Sequence, residues 1–356
     1  MRRVKRKIKR LIGLLLILLI IAGAGGREYL SSAPTLKEFS EEVFQTGIHS
    51  LQNLVNSVVS EGLTADGSGG SGRTGGSVLT GPQAAPGADG EQSGGPQRVS
   101  SPGQEQQDTS FQIHFIDVGQ ADAALVLCDG EAMLIDGGNR EDSDLIYSYL
   151  EKQGISHLNV VVCTHAHEDH VGGLSGALHY ASVDKVYAPV VSYESKVFQN
   201  FLKCLDEQGV SITVPSPGDT FTLGSADAEI LGPVSSSDNL NNTSIVLRLR
   251  YGNTSFLFTG DAEREEEQDI LETGRTLEST VLKVGHHGSD TSTSYPFLRE
   301  IMPQYAVISV GKGNSYGHPS EEVLSRLRDA GAQVLRTDQE GDIICVSDGE
   351  KVTFSP

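Results

Sequence analysis

The chain has 356 residues, a formal net charge of −20 and 37% hydrophobic residues, a length that allows one large domain or two small ones. The acidic surplus is C-terminal: residues 109–356 hold 16 lysines and arginines against 37 aspartates and glutamates. A protein whose affinity came from neutralising many phosphates would carry the opposite sign, so tight general nucleic-acid binding is disfavoured, while brief catalytic contact with a phosphate chain is not.

The first ten residues, MRRVKRKIKR, carry seven positive charges, and an apolar run from Leu11 to Ile21 leads into Ala-Gly-Ala-Gly-Gly. This is a basic n-region and a short h-region, with Ala22-Gly23-Ala24 resembling a small-residue cleavage site. The run is shorter than the ~20 residues that cross a bilayer comfortably. Residues 1–26 therefore predict a signal peptide or an N-terminal membrane anchor. By the positive-inside rule the remainder lies outside the cytoplasm, secreted or tethered to the cell membrane. Residues 34–60 place Leu36, Phe39, Val43, Phe44, Ile48, Leu51, Leu54, Val55 and Val58 at helical spacing, an amphipathic spacer. Residues 62–108, rich in Gly, Ser, Pro and Gln, predict a disordered linker that cannot bury a core.

Order is expected over 109–356. FQIHFIDV, AALVLC and EAMLIDGG read as strands, DLIYSYLEKQG as a helix, and LNVVVCTH as a fully buried strand. GGLSGALHYA and SKVFQNFLKCLDEQG read as helices among the strand-like KVYAPV, SITVP and AEILGP. TSIVLRLRYG and TSFLFTGD form a hairpin turning at Gly252-Asn253. The helix AEREEEQDILE, the strand STVLKVGHH, the helix YPFLREIMP, the strand YAVISVG and the helix SEEVLSRLRDAG follow, and QVLRT, GDIICVS and KVTFS close the chain as strands. Cys128, Cys163, Cys204 and Cys345 form no CxxC pair and read as small buried residues.

CTHAHEDHV holds three histidines and an aspartate between His165 and His170. His165 and His167, two apart in a loop after a rigid strand, can meet one metal, and the adjacent Asp169 and His170 can face a second. Imidazole with carboxylate suits zinc, manganese or iron.

THAHEDHVGG resembles the HxHxDH loop of the metallo-β-lactamase fold, an α+β sandwich of two mixed sheets flanked by helices. The resemblance continues in order. LIDGG places Asp136 as the structural aspartate behind the histidine loop. LFTGD places Asp261 as the carboxylate bridging two metals. LKVGHHGS supplies the last histidine ligand, with His286 preferred to His287. More finely, HFIDVGQADAALV, NNTSIVLRL, FLFTGDAE, VLKVGHHGSDTSTS and SVGKGNSYGHPS resemble the extracytoplasmic hydrolase domain of the ComEC competence proteins, across essentially all of residues 111–356. GQGD is here Gly119-Gln120-Ala121-Asp122. ComEC proteins also carry a multi-helix membrane channel, whereas this chain has one candidate membrane segment, so it is not a DNA transporter by itself.

The resemblance implies metal-assisted hydrolysis with two divalent ions, zinc or manganese, held by His165, His167, Asp169, His170, Asp261 and His286. Most members of the broad fold have a further histidine between His170 and Asp261. Only His179 occurs there, and NLNNTS stands at the expected place, so the His165–His167 site lacks a nitrogen ligand. Catalytic roles are expected for Asp169, for His318 in NSYGHPS, and for Lys283 if it points into the site. Gln120 and Asp122, on a hairpin over the metals, and His287 and Ser289 are candidates for substrate contact. Ser289 and Thr291 read equally well as capping residues. The implied activity is a phosphodiesterase or nuclease, related to DNA uptake. The alternatives are hydrolysis of another ester class, such as a wall-polymer phosphocholine ester, and a non-catalytic surface binding domain.

Overall fold

The computed structural model describes residues 111–355. The signal or anchor, the spacer and the linker expected over 1–26, 34–60 and 62–108 lie outside the described residues.

Among the described residues, fifteen strands form two mixed sheets. The first contains β1 (Phe111–Phe115), β2 (Ala124–Cys128), β3 (Glu131–Ile135), β4 (His157–Val162), β5 (Ser182–Tyr187), β6 (Ile212–Thr213), β14 (Ile343–Ser347) and β15 (Val352–Ser355), in the order β15-β14-β1-β2-β3-β4-β5-β6. The second contains β7 (Thr220–Leu223), β8 (Ala226–Gly232), β9 (Val246–Tyr251), β10 (Thr254–Phe258), β11 (Val281–Lys283), β12 (Tyr305–Ile308) and β13 (Gln333–Arg336), in the order β13-β12-β11-β10-β9-β8-β7. Each sheet is antiparallel on one side and parallel on the other: β3 to β6 and β10 to β13 run parallel.

Three apolar layers follow from the residue alternation. Phe111, Ile113 and Phe115 on β1 meet Phe256 and Phe258 on β10 between the sheets. There Phe111 stacks on Tyr251 and Phe256 at 5.0 and 4.8 Å between ring centroids. On β4, Val160 and Val162 face this layer, while Leu158 and Val161 face a second one. A strand covered on both faces is apolar throughout, which is why LNVVV shows no alternation. The second layer lies beneath α1 (Ser143–Gln153), α3 (Leu174–Tyr180) and α4 (Lys196–Gln208), with Ile146, Leu150, Phe198 and Phe201 packed in. The third lies beneath α5 (Arg264–Glu272), α6 (Tyr295–Ile301) and α7 (Glu321–Asp329), with Ile270, Phe297, Val323 and Leu327 buried. Each such side chain contributes about 1.5–3 kcal/mol of burial. The four cysteines are all buried and free.

Four short pieces depart from the expected elements. β7 and the one-turn α8 (Thr337–Glu340) are additional, SITVP keeps only Ile212–Thr213 as strand, and α2 (Glu168–Val171) is a single turn within the histidine loop. All are too short to impose a period on the sequence.

Two glycine pairs bring the loops of the prospective site into backbone contact. Gly137 N–H donates to the His170 carbonyl at 2.8 Å, and Gly173 N–H to the Gly138 carbonyl at 3.2 Å. A Cβ on Gly173 would lie 1.9 Å from the Gly137 oxygen. Asp122 N–H donates to the Asp169 carbonyl at 3.1 Å, and Gly138 N–H to the Asp122 carbonyl at 2.8 Å. We expect Gly173→Ala to lower stability by more than ~2 kcal/mol through overpacking. Gly154→Ala, at a helix end with φ +72° and no heavy atom within 4 Å of the new Cβ, should cost only the left-handed penalty of roughly 1–2 kcal/mol. Urea midpoints of the two variants give the comparison.

Candidate metal centre

The site is built at the C-terminal ends of β3, β4, β10 and β11, where the chain leaves each sheet. After β4, the Thr164 N–H and hydroxyl both donate to Asp136, each at 2.7 Å. Asp136 itself has φ +58°, a left-handed conformation that a non-glycine residue adopts only when its surroundings hold it. Its Oδ2 lies 2.8 Å from His170 Nδ1. That contact puts the proton of neutral His170 on Nδ1 and leaves Nε2 facing forward as a lone pair.

His287 is held the same way from the other side. Its Nδ1 lies 3.1 Å from the Ser309 carbonyl and 3.3 Å from Asp122 Oδ1. Its Nε2 points to Asp169 Oδ2 at 3.3 Å and Asp261 Oδ2 at 3.8 Å. His170 Nε2 is 3.2 Å from Asp261 Oδ1. Asp169, His170, Asp261 and His287 thus offer ligand atoms that all lie within 4.8 Å of one another. His170 Nε2, His287 Nε2 and Asp261 Oδ1 are buried without a hydrogen-bond partner. Buried imidazole lone pairs and carboxylate oxygens aimed at one point are a donor set for a cation, and the residues fit a divalent metal.

His165 and His167 stand beside this cluster. His165 is fully buried, with Nδ1 3.4 Å from Ser244 Oγ, and its Nε2 lies 3.0 Å from His167 Nδ1 and 3.8 Å from Asp261 Oδ2. Asp261 therefore faces both groups. At the place of the missing histidine, Asn242 is committed at both ends: it accepts from Glu263 N–H at 2.8 Å and donates to Glu265 Oε2 at 3.3 Å. Asn241 donates to Glu263 Oε1 at 3.0 Å, and its own buried Oδ1 has no hydrogen-bond partner.

Several expected roles change. His287, expected to contact substrate, is the histidine that joins Asp169, His170 and Asp261, whereas the favoured ligand His286 lies outside that group of four. Its Nδ1 lies 3.1 Å from Thr291 Oγ1 and 3.4 Å from Glu263 Oε1, although its Nε2 remains 3.7 Å from Asp261 Oδ2. Both histidines have positive φ, +50° and +52°, so successive side chains diverge where a strand would alternate them. Asp122 is buried rather than open to substrate, and Lys283, expected as a catalytic group, is its ion-pair partner at 2.8 Å. The Lys283 ammonium also donates to the Val284 carbonyl at 3.0 Å. Ser289, expected to contact substrate, is buried and bonded to the Thr291 hydroxyl at 3.0 Å, and it does not cap the following helix, whose N-cap is Ser294. Gln120 bridges two loops: its Oε1 accepts from Gly311 N–H at 3.0 Å, and its Nε2 lies 3.4 Å from His318 Nδ1. Glu263 was not singled out from sequence. Its place directly after the TGDA turn of Asp261 was the available signal.

The electrostatics follow from burial among carboxylates. For His287, burial opposes the charge, but Asp261 and Asp122 outweigh it and raise the pKa to about 10. His170 is likewise opposed by burial and raised well above its usual value by Asp261 and Asp136. For Asp169, burial acts upward, but the hydrogen bond to His287 and the His170 charge hold the carboxyl at about 2. Burial and the neighbouring His170 keep His165 well below the usual histidine range.

Residues 116–312 match the family described as the metallo-beta-lactamase superfamily. ComE operon protein 3 of Bacillus subtilis (strain 168) is 32% identical over 251 residues, 65% of this chain and 32% of that protein. Competence protein ComA of Neisseria gonorrhoeae is 32% identical over 230 residues, 63% of this chain and 30% of that protein. The chain thus spans about a third of the length of these curated relatives. Among solved structures, the metallo-beta-lactamase fold protein YhfI from Bacillus subtilis is 12% identical with a TM-score of 0.42, covering 69% of this chain and 100% of that one.

Two outcomes are expected. Metal entry must displace the protons that the carboxylates hold on His170 and His287. Since pH 7 lies below the His287 pKa of about 10, binding of manganese or zinc at pH 7 should release protons. Affinity should weaken as pH falls. Calorimetry in buffers of differing ionisation enthalpy measures both. Asp122→Ala strands a buried ammonium and should cost roughly 3–5 kcal/mol. Adding Lys283→Met should recover much of that loss in urea unfolding.

Proposed function

We infer the activity from one premise: the chain belongs to the metallo-beta-lactamase superfamily, whose members are usually metal-dependent hydrolases. The reading is a metal-dependent phosphodiesterase that acts outside the cytoplasm on a nucleic-acid strand, as a nuclease. The observation that carries it is the convergence of unpartnered atoms from His170, Asp261 and His287 upon Asp169. Similarity to competence proteins at 32% identity supports nucleic acid as the substrate class. The basic and apolar start of the chain supports export or tethering.

Two divalent ions, zinc or manganese, held by Asp169, His170, Asp261 and His287 on one side and by His165, His167 and Asp261 on the other, would supply positive charge for a phosphoryl oxygen and lower the pKa of a water. The side chains supply orientation and hydrogen bonds. Asp169, with its carboxyl held at about 2, is an anion throughout the physiological range and accepts a hydrogen bond from the attacking water. The Asp169 carboxylate is the part of the cluster that reaches solvent, with 32% of its side chain exposed.

His318 fits the role of hydrogen-bond donor to the leaving oxygen. Because Gln120 Oε1 accepts from Gly311 N–H, its amide nitrogen must face His318 Nδ1. Nδ1 is then the acceptor, and the neutral ring carries its proton on Nε2. Burial, then the nearby charges of His286 and His287, lower the His318 pKa, so this neutral tautomer prevails near pH 7. The acidic surface suits a strand that is held briefly, not gripped along its length.

The test is hydrolysis of bis(p-nitrophenyl) phosphate by the full chain, stripped of metal and then resupplied with manganese or zinc. We expect metal-dependent turnover that Asp169→Ala lowers at least a hundredfold with the fold intact. A folded protein that turns over nothing with either ion would refute the reading.

A further inference from the structure

We propose that the exposed ring of Tyr316 is a stacking platform for a nucleobase of the substrate strand, beside the metal centre. This rests on the phosphodiesterase reading above and names the part of the substrate that is recognised.

Three rings descend from solvent toward the metal cluster. Tyr316 is the most exposed large hydrophobic residue among the described residues, at 71%. It lies stacked on His318, with centroids 5.7 Å apart and planes 25° from parallel. His318 meets His286 edge-on at 5.8 Å, and His286 Nε2 is 3.7 Å from Asp261 Oδ2. A base laid against the free face of Tyr316 would therefore sit one ring away from His318, which we assign as hydrogen-bond donor to the leaving oxygen. Its phosphate would lie within reach of the cluster.

The loop that carries Tyr316 is fixed although its composition suggests otherwise. GKGNSYGHPS contains three glycines, yet the Asn314 side chain ties it from within. Its Nδ2 donates to the Gly311 and His318 carbonyls at 3.0 and 2.6 Å. Its Oδ1 accepts from Tyr316 N–H and His318 N–H, each at 3.1 Å. Gln120 pins the same loop to the β1–β2 turn. An aromatic ring held out in water on a clamped loop loses little further freedom when a base covers it.

Charge explains why such a platform is needed. Residues 109–356 hold 16 cationic side chains against 37 anionic ones, so phosphate neutralisation cannot supply the affinity. Stacking can: a base on an aromatic side chain contributes about 1–3 kcal/mol, tolerates any sequence and does not depend on released counterions.

The experiment compares two single-stranded oligodeoxynucleotides, one fully base-bearing and one with a run of stable abasic sites at the cleaved linkages. The full chain is used with manganese restored. We expect a KM roughly 5- to 150-fold lower for the base-bearing strand, the range that about 1–3 kcal/mol of stacking implies. Tyr316→Ala should erase that ratio, and Tyr316→Phe, which keeps the ring and loses the hydroxyl, should keep it. The ratio should also change little between low and moderate salt. If both strands are cleaved with equal KM, or if Tyr316→Ala preserves the ratio, the platform is refuted while the phosphodiesterase reading stands. If Tyr316→Phe loses the ratio along with Tyr316→Ala, the hydroxyl and not the ring is the contact, which also refutes it. Cleavage of neither strand, and of no bis(p-nitrophenyl) phosphate, would refute the reading on which the proposal rests.

Discussion

The Asp136 carboxylate holds the centre together. One oxygen accepts the Thr164 N–H, and the other takes the Thr164 hydroxyl and lies against His170 Nδ1. A buried carboxylate is costly unless its lone pairs are occupied, and here every contact that occupies them belongs to the histidine loop. Burial raises the Asp136 pKa, while His170 and the Thr164 N–H pull it back. The loop after β4 is therefore folded around this anion, and the glycine pairs behind it exist because the two loops must touch through their backbones. Asp122 repeats the device from the opposite side: it faces His287 Nδ1 while the Lys283 ammonium balances its charge. Two carboxylates at the rear thus aim two imidazoles at Asp261.

The same arrangement makes the centre a competition between protons and metal. Asp261 is held well below the usual carboxylate range, chiefly because His170 and His287 outweigh its burial. A cluster with this much buried negative charge is satisfied either by protonated histidines or by a divalent ion. The acidic surface acts in the same direction, attracting small cations while offering little to a polyanion. An acidic surface is therefore no contradiction to the proposed phosphodiesterase activity: metals would be held through charge and a substrate locally, through a few contacts near the reacting bond.

Much of this was legible in the sequence because the informative segments are long or chemically unusual. VVVC followed by three histidines and an aspartate needs a metal to make sense, and the amphipathic helices carry their own caps, as with Ser195 and Gly209 around α4. What could not be read was orientation. His286 and His287 are neighbours of identical chemistry, and only two successive left-handed residues decide which one joins Asp169 and His170 beside Asp261. Lys283 ends an apolar strand and could have pointed to either side. It is buried because Asp122, 161 positions earlier, accepts it. Pairings of that kind leave no periodic trace in a sequence.

The left-handed pair also explains an oddity of α5 and α7. Residues in that conformation cost of order 1–3 kcal/mol each unless neighbours enforce it. The loop that follows His287 is enforced by charges that a helical wheel would have assigned to solvent. Glu267 of α5 is buried and accepts from Thr293 N–H and from Ser294 N–H at 2.9 Å. Arg326 of α7, also buried, donates to the Ser292 carbonyl at 2.8 Å and reaches the Asp290 and Thr293 carbonyls at 3.3 and 3.4 Å. Between them, a glutamate and an arginine satisfy the irregular backbone of residues 290–294, and the nearby His286 N–H donates to the Gly260 carbonyl at 3.2 Å. The polar residues buried in the outer helices thus hold the loop behind the candidate metal centre, including the left-handed Thr293 at φ +57°.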